Sequence, residues 1–235
     1  MQRYFAKEKQ DTNLILQPSD LHHIKNVMRN KIGDNIEVVY NEIVYTCKIT
    51  NLDNFSLEII KETTEDKENN VNLTVALSLV NEQKFDLIIQ KLTELGVSTI
   101  IPIKTERSII KLDDKKALKK IERWQTICKE ASEQSKRTKI PKIEKIINIK
   151  ELKNIDNKLK LICSLNDNSC SLDNYLDNNL KEIMFVIGPE GGFSQTEEEY
   201  LLNNGFKSVS LGKRVMRVET AAIYVASIIN YVYKG

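Results

Sequence analysis

The sequence predicts an α/β fold in two parts: a mostly β segment over residues 1–70, then a domain over 71–235 with a mostly parallel sheet. Three observations predict it. Residues 1–60 hold short runs rich in Val, Ile, Tyr and Thr, separated by turn residues. Residues 61–70, KETTEDKENN, are polar throughout and have the composition of a linker. Beyond them, short apolar runs alternate with helix-period segments, which is the pattern of βα units with helices on both faces of a sheet.

Taken in order, NLILQ (13–17) reads as a strand and PSDLHHIKNVMRN (18–30) as a short helix capped by Ser19 or Asp20. KIGD (31–34) supplies a glycine turn. Residues 35–60 read as strands joined by turns at Asn41-Glu42 and Asp53-Asn54. One helix among short strands suggests a small barrel. In the second part, 72–80 is a strand and 82–95 an amphipathic helix, with Gly96 where a helix stop belongs. Residues 97–105 form a strand, 113–135 a long amphipathic helix with Asp113 and Asp114 in its first turn, and 158–165 and 182–188 two more strands. A helix over 195–204, a strand over 207–212 and a helix over 219–233 complete the pattern. The last helix is apolar nearly all round, so it needs burial within the chain or at a subunit interface.

Composition narrows the function classes. No apolar run approaches the roughly 20 residues of a membrane span, and MQRYFAKEKQ lacks the apolar core of a signal peptide. Both point to the cytoplasm. Cys47, Cys128, Cys163 and Cys170 form no C-x-x-C pair and are expected to be reduced, mostly buried thiols. His22 and His23 are adjacent and make a poor metal clamp, so no metal is expected. Residues 104–142 carry 13 Lys/Arg against 6 Asp/Glu. Such a run is either a solvated helix face or a polyanion-binding surface.

Two stretches carry chemistry. Residues 185–200 read FVIGPEGGFSQTEEEY: a buried strand, a loop of Gly188, Pro189, Glu190, Gly191 and Gly192, then a helix opened by a Ser194–Glu197 capping box. The loop therefore lies at the carboxyl edge of the sheet, where open α/β sheets bind ligands. A tight structural turn accounts for one Gly and one Pro, but less well for three Gly, a Pro and a Glu in a chain with only eight glycines. The spacing is neither G-x-G-x-x-G nor a P-loop. The second stretch, LGKRVMRVETAA (211–222), also joins a strand to a helix. Lys213, Arg214 and Arg217 make it basic, while Val215, Met216 and Val218 make it apolar. The two loops could enclose a flat heteroaromatic ligand. The alternative is a basic surface loop whose Glu219 and Thr220 cap the next helix.

IGPEGGFS followed by LGKRVMRVETA resembles the SPOUT methyltransferases, and most closely their small-subunit ribosomal RNA methyltransferase E family. RYF (3–5), LHHIKNVMR (21–29), IIQKLTELGV (88–97), ERSI (106–109) and RWQTICKEASEQSKRTKIP (123–141) follow the family in order across nearly the whole chain. Three departures stand out: Lys213 where Pro is expected, Val218 where Thr or Ala is common, and VNEQ (80–83) in place of a Lys-Gly start.

The resemblance implies a PUA-like RNA-binding β-barrel over 1–70 and a SPOUT domain over 71–235 that contains a trefoil knot. It implies S-adenosylmethionine as cofactor, a homodimer, and methylation of ring nitrogen 3 of a uridine in small-subunit ribosomal RNA, naked or in the assembled subunit. The cofactor would lie among three loops: Ser164 and Leu165; Gly188, Pro189, Gly191 and Gly192; and Leu211, Gly212, Val215, Met216, Arg217 and Thr220. Arg217 would stabilise charge on the uracil, and Glu190 or Glu219 would accept its proton. Arg3, Arg29, Arg107, Arg137 and Lys139 would contact RNA, or serve as surface salt-bridge partners instead. Two other readings remain open at this point: a methyltransferase acting on another RNA base, and a non-catalytic ribosomal RNA-binding assembly factor.

Overall fold

A computed structural model describes all residues except 66, 109, 111, 112, 166–168, 178 and 235. Asp66 of the expected linker and Ile109 of the ERSI stretch thus lie outside the described residues. The chain divides into two compact units, Met1–Glu68 with Ser132–Lys139, and Asn69–Ala131 with Ile140–Gly235.

The first unit contains β1 (Arg3–Phe5), β2 (Glu8–Gln10), β3 (Asn13–Ile15), α1 (Pro18–His22), β4 (Asn35–Tyr40), β5 (Ile43–Asn51) and β6 (Ser56–Thr64). Its four-stranded sheet has the order β1-β4-β5-β6, with β1 parallel to β4 and the remaining pairs antiparallel; β2 and β3 form a separate hairpin. Alternate residues Ile36 and Val38 of β4, with Tyr45, Cys47 and Ile49 of β5, bury one face against Tyr4, Leu14, Leu16 and Ile24. The turn at Asn41-Glu42 has φ of 48° and 67°, the left-handed pair that a two-residue hairpin needs.

Two expectations need correction here. The helix over 18–30 is capped by Gln17, not by Ser19 or Asp20. Pro18 takes the first helical turn, Asp20 sits at the third position, and its carboxylate accepts from the Gln17 N–H at 3.3 Å. The helix also loosens into a π-helical turn over His23–Val27. The expected linker begins as a strand, because residues 61–64 still pair with residues 43–46 of β5. β6 is an edge strand, and its solvent-facing residues lend it the polarity of a linker.

The second unit contains β7 (Asn72–Ser78), α2 (Glu82–Glu94), β8 (Thr99–Lys104), α3 (Asp114–Gln134, grouped with this unit as far as Ala131), β9 (Lys142–Ile143), β10 (Ile147–Asn148) and β11 (Leu159–Cys163). It continues with β12 (Cys170–Ser171), β13 (Glu182–Ile187), α4 (Gln195–Leu202), β14 (Lys207–Ser210) and α5 (Val218–Val232). Every pair in the sheet is parallel, in the order β10-β8-β7-β13-β11-β14-β12, with β9 on the same edge of β8 as β10. β9, β10 and the 3-10 turn Ile149–Asn154 have no counterpart in the sequence reading, being too short to show a period.

Both faces are covered, which is why the strands read as unbroken apolar runs. In β13, Ile183, Phe185 and Ile187 pack on one side with Phe85, Trp124, Val225 and Ile229; Met184 and Val186 pack on the other with Leu152, Leu201 and Phe206. Phe85 and Trp124 stack with ring centroids 4.3 Å apart. α2 is capped by Asn81, whose side chain accepts from the Lys84 N–H, and ends at Gly96 with φ of 82°. Among the described residues, no helix is long and apolar enough to cross a membrane. The cysteines are free; Cys47 and Cys128 are buried, Cys163 is half-buried and Cys170 is exposed, so only two of the four are as buried as expected.

Candidate functional site

Because all strands of the second unit run the same way, their exit loops share one edge. β13, β11 and β14 are neighbours, with Ile162 in register with Val186 and Cys163 with Val209. The loops at Ser164, at residues 188–192 and at residues 211–217 therefore leave three adjacent strands. Residues distant in sequence meet here for one reason, parallel pairing.

The first loop is pinned to its neighbours. The Ser164 N–H donates to Val209 O at 3.0 Å, and its hydroxyl donates to a Glu198 carboxylate oxygen. Leu165 beside it is exposed, an apolar side chain left open at the sheet edge.

The second loop turns tightly, with the Gly192 N–H donating to Pro189 O at 2.9 Å and Gly192 at φ of 66°. A Cβ on Gly188 would lie 3.1 Å from the Phe193 ring, so that glycine answers a close approach. Ser194 and Glu197 form the capping box read from the sequence. Glu197 is buried and does more than cap. Its other oxygen accepts the Glu106 N–H at 2.8 Å, which ties the end of β8 to the start of α4. Nothing in a linear reading marks that bond.

Glu190 forms an ion pair with Lys84 at 3.0 Å. Partial burial works against its charge, but the Lys84 ammonium and its own backbone N–H outweigh that and hold its carboxyl below the usual range. A carboxylate so held is a weaker base. Lys84 has no signal in the sequence that would have singled it out.

The third loop is the most open. Gly212 adopts φ of 117°, with no atom within 4 Å of where a Cβ would stand, and Val215 is 78% exposed. Leu211 and Met216 are half-buried, packed at the margin of the core. Arg217 is the N-cap residue of α5 and is exposed. Glu219 and Thr220 follow inside the helix, so neither is its cap. One Glu219 carboxylate oxygen is buried with no hydrogen-bond partner among the described residues. A cleft of about 370 Å³ borders this loop, formed by Leu211, Gly212 and the α5 residues Tyr224, Ile228 and Val232.

The expected RNA contacts divide. Arg29 is exposed, at φ of 54°. Lys139 is exposed and paired with Glu42 at 3.1 Å. Arg107 donates to Gly191 O at 2.7 Å, so it braces the glycine loop rather than standing free. Arg3 and Arg137 are corrections. Arg3 is fully buried, donating to Glu37 and Glu65 at 2.9 Å and to the Lys136 carbonyl at 2.6 Å. Arg137 is 4% exposed and meets Glu68 at 2.6 Å. Their charge is spent inside the first unit, where RNA cannot reach it. Among the described residues, no group of three or more His, Cys, Asp or Glu is placed to hold a metal.

A model of the RNA methyltransferase domain family matches residues 67–230, and one of the RNA methyltransferase PUA domain matches residues 16–62. The chain is 34% identical to ribosomal RNA small subunit methyltransferase E of Bacillus subtilis, covering 98% of this chain and 96% of the relative. It is 33% identical to the protein of that name from Aquifex aeolicus, covering 97% and 99%. Among solved structures, it is similar to a ribosomal RNA small subunit methyltransferase E from Neisseria gonorrhoeae bound to S-adenosyl methionine (TM-score 0.90, 31% identity, covering 99% and 98%). It is also similar to a putative methyltransferase from Legionella pneumophila in complex with that cofactor (TM-score 0.91, 28% identity, covering 97% and 96%).

Proposed function

The chain belongs to the ribosomal RNA small subunit methyltransferase E family, and from that premise we propose that it transfers a methyl group from S-adenosylmethionine to ring nitrogen 3 of one uridine in small-subunit ribosomal RNA. It is an RNA methyltransferase with a PUA domain. The observation that supports the cofactor-binding part of this reading is the adjacency of the three exit loops on β13, β11 and β14.

The residues present fit the cofactor. Leu165, Leu211, Val215 and Met216 supply apolar contact for a flat base, and the backbone around Gly192 and Gly212 is open to close approach, while Arg107 packs beside Gly191. Ser164, Gly188, Pro189 and Thr220 complete the cradle. When bound, the sulfonium supplies an activated methyl group. The chain's own work is then to align reactants to about 3–3.5 Å and to manage the uracil proton. Arg217, exposed at the start of α5, stabilises negative charge developing on the uracil oxygens. Of the two carboxylates, Glu219 suits the base better, having an unpartnered oxygen where Glu190 is held by Lys84.

A trefoil knot in the second unit and a homodimer through the apolar outer face of α5, with Tyr224, Ile228 and Val232, belong to the same reading, as does a cytoplasmic location beside the substrate. Arg29 remains as an RNA contact, and Lys139 serves as one only by leaving its exposed pairing with Glu42.

The test incubates the protein with labelled S-adenosylmethionine and small subunits from cells lacking the native enzyme, followed by nucleoside mass spectrometry. Label in 3-methyluridine at one site is expected; label in another nucleoside moves the target base. Arg217→Ala is expected to lower turnover about 10²–10³-fold, as loss of one charge-stabilising donor does, with an unchanged melting temperature.

A further inference from the structure

We propose that Lys104, Lys150, Lys153 and Lys160 form a track for the phosphodiester backbone of the RNA substrate, on the α4 side of the second unit and outside the three exit loops. This rests on the RNA reading above and names a surface that the charge count of residues 104–142 does not reach beyond Lys104.

The track begins at the active edge. Pairing of β10 with β8 sets Asn148 beside Lys104, and the 3-10 turn follows at once. Lys104 and Lys150 thereby share a cleft of about 240 Å³ whose inner side includes Glu197, the residue that ties the β8 exit to the α4 start. From there the Lys150 and Lys153 ammonium groups lie 5.7 and 5.8 Å from the centre of one ring, that of Tyr200. Lys160 continues the line, donating to the Lys153 carbonyl at 3.5 Å and lying 5.4 Å from the Phe206 ring.

These cations lack what cations on a folded surface usually find. Among the described residues, none of the four has a carboxylate within ion-pair distance. Glu106, exposed at the mouth of the same cleft, makes no ion pair with either lysine, and two further acids are engaged by the backbone. Glu151 accepts the Asn148 N–H at 2.8 Å, and Glu197 accepts the Glu106 and Ser194 N–H groups. Two ammonium groups on one tyrosine gain from the ring's negative face, but they repel each other. An anion placed between them relieves that repulsion. Lys104, Lys150 and Lys153 are exposed and Lys160 is half-buried, so their charge is open to a polyanion whose counterions they would release.

The experiment uses the full chain with Lys150→Gln, Lys153→Gln and Lys160→Gln combined, and small-subunit ribosomal RNA as probe. Binding is expected to weaken about tenfold or more near 0.1 M salt, and the magnitude of the slope of log affinity against log salt to fall by about two to three. Binding of S-adenosylmethionine by calorimetry is expected to be unchanged. Arginine at the same three positions is expected to restore affinity and slope. Equal affinity and slope in the glutamine variant would overturn the track. So would weakened binding to assembled subunits with naked RNA bound as before, which would assign the patch to a protein. Wild type that binds RNA but makes no methylated product sinks the activity and leaves the track standing; wild type that binds no RNA sinks both.

Discussion

Residues 120–142 and residues 150–160 both present a row of cations, and the fold treats them in opposite ways. In the first, Lys120 and Arg123 meet Glu82, Arg123 also meets Asp86, Lys136 meets Glu37, Arg137 meets Glu68, Lys139 meets Glu42 and Lys142 meets Glu144. In the second, Lys150, Lys153 and Lys160 have aromatic rings and a carbonyl for company. A cation paired within its own fold offers little to a polyanion. Counting charge along the chain finds the first row and overlooks the second, because the neutralising partners lie far off: 37 positions away for Arg123 and Asp86, 99 for Lys136 and Glu37.

The contrast breaks most visibly at Arg3. Arg3→Met leaves two glutamates and two backbone carbonyls in a buried setting without their donor. A loss of about 3 kcal/mol is expected, read as a lower denaturant midpoint, because removing one partner of a buried ion pair strands the other. If Arg3 were instead an RNA contact, that variant would keep its midpoint and lose RNA.

Acid should loosen the same unit. Burial disfavours charge on Glu37, but hydrogen bonds from Lys136 and Arg3 outweigh it; for Glu65 burial is outweighed by Arg3 and Lys67. Both carboxyls therefore lie below the ordinary glutamate value of about 4.3. A lowered folded value means that their stabilisation is whole above that pH and is lost as pH falls through the folded value. Melting temperature should thus hold down to about pH 5 and drop as pH falls further, and Glu37→Gln should flatten the drop. An equal drop in that variant would remove Glu37 from the account.

The smallest effects form a crossed pair. Arg123→Ala, at an exposed bridge, should cost under about 1 kcal/mol and leave the salt slope of RNA binding alone. Lys153→Gln should leave stability alone and lower that slope by about one. Equal behaviour of the two variants would erase the distinction between the rows.

Much of the fold was legible in the residues. α2, α3 and α5 fall within a residue or two of their periodicity, and Asn81, Gly96 and the Ser194–Glu197 box sit where capping chemistry requires. β9, β10 and β12 span two residues each and carry no period, so nothing along the chain marks them. Part of the candidate site was legible too. The glycine loop announced itself by composition, whereas Arg217 stood out from Lys213 and Arg214 only through the family resemblance. Lys84, Glu198 and the second bond of Glu197 were not legible, since each acts across a gap that only folding closes.

The sequence by itself determined the alternation of strands and helices, the turn at Asn41-Glu42, the two glycine-bearing loops and the family. Each is written in local periodicity, in backbone freedom or in contiguous motifs. Only the tertiary structure decided that residues 132–139 group with the N-terminal unit, that Arg3 and Arg137 are interior, and that Lys150, Lys153 and Lys160 stand without acids among the described residues. Pairing of charge and burial of side chains depend on which distant segments meet, and strand order, not sequence order, settles that.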